Sequence, residues 1–273
     1  MPKRTHEYEL GHSDWELKRL ATQAKLVDPF TRQFLSNAGI VAGMSVLDIG
    51  SGAGDVSFLV SDLVGPTGKV VGVDRSATAI AAATERASLR RLNNVSFRLG
   101  DAAELMFEKR FDAITGRYVL MFSADPTAML KGIAAHLRPG GVIVFHEADW
   151  SGATSVPPAQ EYDHCVGFIV ETLRKVGSKT NLGLGLSAAF KSAGLPAPTM
   201  GLQALVGSGE NDWSGIDMIA DLATTMAPIM EQMGVTTIAK LDPKTLYQRM
   251  RDEVIKNNSV VVGRYEVGAW ART

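Results

Sequence analysis

Between about residues 45 and 150 the chain alternates short apolar runs with helical stretches, and no other feature restricts its fold as tightly. "SVLDIG", "KVVGVD", "VSFRLGD", "FDAITGRYVL" and "VIVFHEADW" read as strands. "DVSFLVSDLVG", "SATAIAAATERASLRRLN" and "PTAMLKGIAAHL" read as helices between them, the first stopped by Gly65-Pro66. Strands that are apolar on both sides, each followed by a helix, predict a parallel sheet covered on both faces, a doubly wound α/β fold. In such sheets ligands sit beyond the carboxyl ends of the strands. Asp48, Asp74, Asp101 and Glu147 all fall at or just past predicted strand ends, so four acids gather on the ligand-binding edge.

The flanks follow another rhythm. Leu17, Leu20, Ala24 and Leu26, then Phe30, Phe34 and Leu35, have helical spacing, with Asp28-Pro29 expected to restart the helix between the two sets. After residue 150, "PPAQEYDHCVGFIVETLRKVG" and "GLSAAFKSAGL" read as helices and "TMGLQALVG" as a strand. Two helices follow at 210–233 and 242–256, and "SVVVGRYEVGAWAR" is a long final strand. The expected organisation is a helical lid or cap over 1–44 and a ligand-binding core over 45–150. Residues 151–273 complete the sheet (about 182–207 and 259–273) and insert cap helices (about 151–180 and 210–256).

The first strand runs into "VLDIGSGAGD", in which Gly50, Gly52 and Gly54 alternate with small residues. A glycine loop between strand and helix lets a ligand touch backbone and meet the helix amino end. A dinucleotide loop wants G-x-G-x-x-G, but its sixth place here is Asp55, an acid that would repel a pyrophosphate and suits a helix cap. That disfavours a nicotinamide oxidoreductase; the loop is built for a ligand without phosphate.

With "VVGVD", "RLGDAAEL", "FDAITGRYVLM" and "LRPGGVIVFHE" in order behind it, this loop resembles the motif series of class I S-adenosylmethionine-dependent methyltransferases, nearest the ubiquinone-biosynthesis-type and small-molecule groups. The resemblance covers residues 45–147 and implies a Rossmann-like, mostly parallel seven-stranded sheet with S-adenosylmethionine as cofactor. Asp48 and the loop Gly50, Ser51, Gly52 and Gly54 would then hold the methionine end. Asp74, followed by Arg75, would accept from both ribose hydroxyls. Asp101 and the Ala102 amide would meet the adenine, and Arg117 would lie beside the methionine through its backbone. The implied reaction is methyl transfer to an oxygen or nitrogen of a small, mostly apolar acceptor. C-methylation of a quinone or lipid-like ring, and a non-catalytic cofactor-binding or scaffold module, stay open.

For an acceptor that must lose a proton, His146 is the candidate general base, against a reading as a core histidine. Strand alternation sends His146 and Glu147 to opposite sides. Tyr8, Tyr118, Glu147, Trp150 and His164 are candidate substrate contacts, with Met226 and Met230 one helical step apart in a methionine-rich helix that suits either plain packing or an adaptable apolar pocket. Tyr8, Trp15 and Arg19 suggest a closing lid or a fixed helix. A net charge of −1 gives no basic excess for nucleic acid. The single cysteine, Cys165, allows no disulfide within the chain, and the scattered histidines give no metal spacing. No run approaches the roughly 18 apolar residues of a membrane helix, and the start lacks a signal-peptide pattern. A cytoplasmic protein is expected, with no nucleic-acid or membrane partner and a homodimer left open.

Overall fold

The computed structural model describes residues 14–208 and 213–273, with side chains from residue 26 onward. Helix α1 (Asp14–Asn37) leads into strand β1 (Ser45–Ile49) and the glycine loop. Helix α2 (Asp55–Val64), β2 (Lys69–Asp74), α3 (Ala77–Leu89), β3 (Val95–Leu99), β4 (Phe111–Arg117), α4 (Pro126–Ala134) and β5 (Leu137–Asp149) continue the alternation. Then come β6 (Thr154–Val156), α5 (Gln160–Lys175), α6 (Leu182–Ser192), β7 (Thr199–Ser208), α7 (Ser214–Gln232), α8 (Ile238–Leu241), α9 (Pro243–Asn257) and β8 (Val260–Arg272).

The described strands form one sheet of eight, ordered β3-β2-β1-β4-β5-β8-β6, with β7 on the other side of β8. Strands β1 to β5 are parallel, and β8 runs antiparallel to β5, β6 and β7. Seven strands were expected. The eighth is β6, three residues that pair with Val260–Val262 at the start of β8, in a stretch read as the approach to a cap helix. Three residues are too few to show a period of two, so only the neighbouring strand reveals them.

Alternation assigns the faces. Val46, Val142 and Val144 pack with Leu35 of α1 and Val56, Leu59 and Val60 of α2. Leu47, Ile49, Ile143 and Phe145 pack the other way, with Leu130 and Ile133 of α4 and Leu186 and Phe190 of α6. Helix α1 is drawn close to the sheet by Phe34, which lies against Gly268 of β8: a Cβ there would fall 2.4 Å from the Phe34 ring. A second apolar cluster joins α5, α7 and α9 to Trp150 and Val261.

Two local expectations change. Helix α1 does not restart at Asp28-Pro29 but runs through with Pro29 inside it. Asp28 is not used to cap a new helix; its carboxylate takes an ion pair from Arg117 at 2.8 Å. Asp55 makes no cap hydrogen bond either: Gly54, at φ 91°, holds the cap position, and the Asp55 carboxylate pairs with Arg86 at 2.6 Å. Among the described residues no helix is long and apolar enough to cross a membrane, and no cluster of three His, Cys, Asp or Glu side chains could hold a metal ion.

Candidate active site

At the carboxyl end of β1, Gly50, Gly52 and Gly54 all have positive φ, at 63°, 51° and 91°. Gly50 must also be bare, because a Cβ would lie 2.6 Å from Val119 Cγ2 in the chain that follows β4. A Cβ on Gly52 would meet nothing within 4 Å, so this face of the loop opens onto free space. The loop is held by Asp74 at the end of β2, whose carboxylate accepts from the Gly52 amide at 2.9 Å and the Ser76 amide at 2.8 Å. Each oxygen keeps acceptor capacity beyond that bond.

Asp48 shares the α2-facing side of β1 with Val46. It is 1% exposed, and its Oδ2 accepts from the Ser57 hydroxyl at 2.6 Å. Among the described residues its Oδ1 has no hydrogen-bond partner, nor does the buried Ser51 hydroxyl in the loop above. Burial, helped by Asp74 and Asp55, pushes the Asp48 carboxyl up to about 7 against the opposing pull of Ser57 and Arg117. A buried carboxylate oxygen without a donor is a place for a cationic hydrogen-bond donor.

Asp101 and Arg75 form an ion pair, and Asp101 also accepts from the Ala103 amide at 2.9 Å. Arg75 is 73% exposed, so this pair is cheap to break. Ala102 is buried beside it, its carbonyl 2.9 Å from His136 Nε2. Arg117 does not turn its side chain to the loop. Its Nη1 donates to Asp28 at 2.8 Å and to Thr31 at 2.9 Å, tying α1 across the sheet.

Beyond β4 and β5 lies a buried polar network. His146 and Glu147 do point to different sides. Glu147, fully buried, accepts from the Val119, Leu120 and Met121 amides at 2.9, 2.8 and 3.2 Å and so caps the short turn after β4. Its carboxyl is pushed up to about 7 by burial, against those three amides. Glu147, expected against a substrate, here spends its carboxylate on the backbone of that turn.

His146 is 2% exposed, with Nδ1 3.0 Å from the Thr31 hydroxyl and Nε2 2.8 Å from Glu266 Oε2. Burial lowers its pKa although Glu266 opposes the shift, so the neutral ring prevails. Glu266 is ionised and can only accept, which assigns the ring proton to Nε2. Both nitrogens of the expected general base are thus engaged within the protein, and the unprotonated one faces Thr31.

The centre of this network is Glu266, which sequence reading missed. Burial would raise its pKa, but Arg264 at 3.0 Å, His146 and the Tyr118 hydroxyl at 2.6 Å together hold it at about 2. Tyr118 reaches it from a left-handed position at φ 55°. The Arg264 guanidinium stands 4.8 Å from the Tyr118 ring centre and 5.3 Å from that of Trp150. The signal was present in "GRYEVGAW": opposite charges two residues apart on an otherwise buried strand face one way together.

The other expected contacts divide. Trp150 joins the network through Arg264. Met226 and Met230 are 1% and 0% exposed within the α5–α7–α9 packing. His164 is exposed on α5, whose buried side is Tyr162, Cys165, Val166, Ile169 and Leu173. Tyr8 lies outside the described residues, and so do the side chains of Trp15 and Arg19.

A family model described as a methyltransferase domain matches residues 40–176, half of the chain. The chain belongs to that family. It is similar to a demethylmenaquinone methyltransferase of Lactococcus lactis, 35% identical over 136 residues, which cover 50% of this chain and 54% of the relative. It is also similar to nocamycin O-methyltransferase of Saccharothrix syringae, 36% identical over 124 residues, 45% of this chain and 44% of the relative. The chain thus spans about half the length of these curated relatives. Among solved structures, the YcgJ protein from Bacillus subtilis superposes with a TM-score of 0.55 at 18% identity, over 89% of this chain and 98% of that one, a likeness of fold.

Proposed function

We propose that this protein is an S-adenosylmethionine-dependent methyltransferase acting on a small, mostly apolar, quinone-like acceptor. The observation that carries the cofactor is the unpartnered Asp48 Oδ1 beneath a glycine loop whose Gly52 face is open. The donor set fits: an ammonium answers Asp48 and Ser51, ribose hydroxyls answer the spare acceptor sites of Asp74, and Asp101 with the Ala102 amide offers one acceptor and one donor to an adenine edge. When bound, the cofactor supplies an electrophilic methyl group on a positively charged sulfur. The chain's part is alignment, which can contribute many kcal/mol, and exclusion of water. The Gly50 contact with Val119 sets the loop against the turn that carries Tyr118, and Arg117 ties the end of β4 to α1 through Thr31.

The acceptor class draws on the apolar cluster beside Trp150 and on relatives named for a demethylmenaquinone and for nocamycin. We assign His146 to holding Glu266 in place and not to taking the acceptor's proton. The test is transfer of labelled methyl from S-adenosylmethionine to a panel of naphthohydroquinones, phenols and amines by the full chain. Transfer to ring acceptors and not to amines is expected; binding of S-adenosylhomocysteine without transfer to any of them would favour the non-catalytic module.

A further inference from the structure

Two buried hydrogen-bond donors beyond the ends of β4 and β5 have no acceptor among the described residues: Arg264 Nη2 and Trp150 Nε1. Both side chains are about 5% exposed, so neither donor is satisfied by bulk water. Leaving such donors unpaired is costly, and each calls for a partner from outside the described residues. The two side chains meet, the guanidinium 5.3 Å from the indole ring centre, because β8 pairs with β5 as far as Asp149–Tyr265 and with β6 from Thr154–Val262, which leaves Arg264 opposite the turn Trp150–Gly152 between those pairings. Glu266 fixes the guanidinium through Nε, Tyr118 and Trp150 flank it as aromatic faces, and the buried Nη2 is without an acceptor among the described residues.

From this we infer that Arg264 and Trp150 form an oxygen-binding subsite that holds a ring-borne hydroxyl or carbonyl of the methyl acceptor. The inference rests on the methyltransferase reading for its place in the reaction, but the donors stand independently of it. The charge of Arg264 is already matched by Glu266, which suits a hydroxyl or carbonyl oxygen better than a carboxylate or phosphate, either of which would leave a second buried negative charge without a counter-ion. The flanking rings of Tyr118 and Trp150 suit a flat, apolar body attached to that oxygen. The chain that carries Tyr118 also reaches the glycine loop, because Val119, the next residue, is the one against which Gly50 packs.

Calorimetry on the full chain with 2-naphthol, naphthalene and 2-naphthoate, with and without S-adenosylhomocysteine, tests the subsite. The wild type should prefer 2-naphthol to naphthalene by about fivefold or more, the equivalent of one net hydrogen bond. Trp150→Phe keeps the stacked ring and removes only the N–H, and Arg264→Lys keeps a cation beside Glu266 and removes Nη2. Each should reduce the preference to about twofold or less, with S-adenosylhomocysteine affinity unchanged in Trp150→Phe. Equal binding of naphthol and naphthalene to the wild type, an unaltered preference in both variants, or tighter binding of 2-naphthoate would each overturn the subsite. A wild type that ignores S-adenosylhomocysteine yet still discriminates naphthol would sink the cofactor reading and leave the subsite standing.

Discussion

Asp48→Asn should separate stability from function in opposite directions. The Asp48 carboxyl sits at about 7 instead of its ordinary 3.8, because burial penalises its charged form. The folded state therefore holds this proton more tightly than the unfolded state does. The Asp48 contribution to stability is full below about pH 4, declines as pH rises toward 7, and is flat above that. At pH 8 the group is a buried charge with a single donor, Ser57, and an amide removes that charge. Asp48→Asn should raise the stability of the free chain at pH 8 by about 1 kcal/mol or more, measured by urea unfolding. The same variant lacks the carboxylate proposed to meet the cofactor's ammonium, a charged hydrogen bond worth about 1.5–3 kcal/mol. Its Kd for S-adenosylhomocysteine should rise about 10- to 150-fold at pH 7.5 in calorimetry. Wild-type affinity should weaken as pH falls from 7 to 5.5, because the carboxyl must give up its proton to bind, and this slope should vanish in the variant. A destabilised variant with wild-type affinity and an unchanged pH slope would refute the reasoning.

Asp74→Ala should weaken S-adenosylhomocysteine binding by about 2 kcal/mol or more, roughly 30-fold, since it removes both the proposed ribose acceptors and the brace on the Gly52 amide; isothermal calorimetry reads this directly. Glu266→Gln leaves the Arg264 charge buried without its counter-ion and should cost about 3–5 kcal/mol in denaturant unfolding, part of it recovered when Arg264→Met is added. Because the Glu266 carboxyl is held down to about 2, its wild-type contribution is present above about pH 4.5 and is lost as pH falls from there toward 2; the variant should lose stability less steeply over that window. Gly50→Ala forces a side chain into Val119 from a left-handed backbone and should lower stability by about 1–3 kcal/mol, seen as a drop in Tm. His146→Ala should lower Tm far more than it weakens S-adenosylhomocysteine binding; an unchanged Tm with abolished turnover would return His146 to the role of base.

What the sequence determined by itself was whatever depends on period and backbone conformation. Apolar runs of strand length between helical stretches dictate the parallel sheet, and Gly50, Gly52 and Gly54 mark a loop with positive φ, because both properties are local to a few residues. The carboxyl-edge position of Asp48, Asp74 and Asp101 follows from strand direction alone. Tertiary structure decided which polar groups meet. Glu147 looked like a substrate contact until the chain after β4 turned back and placed three amides on it. His146 looked like a base until α1 brought Thr31 to one nitrogen and β8 brought Glu266 to the other, partners 115 and 120 residues away in sequence. Arg264 and Trp150 became a pair of spare donors only through the antiparallel register of β5 and β8. A side chain's protonation and role depend on burial and on neighbours supplied by distant strands, and no local window of sequence contains either.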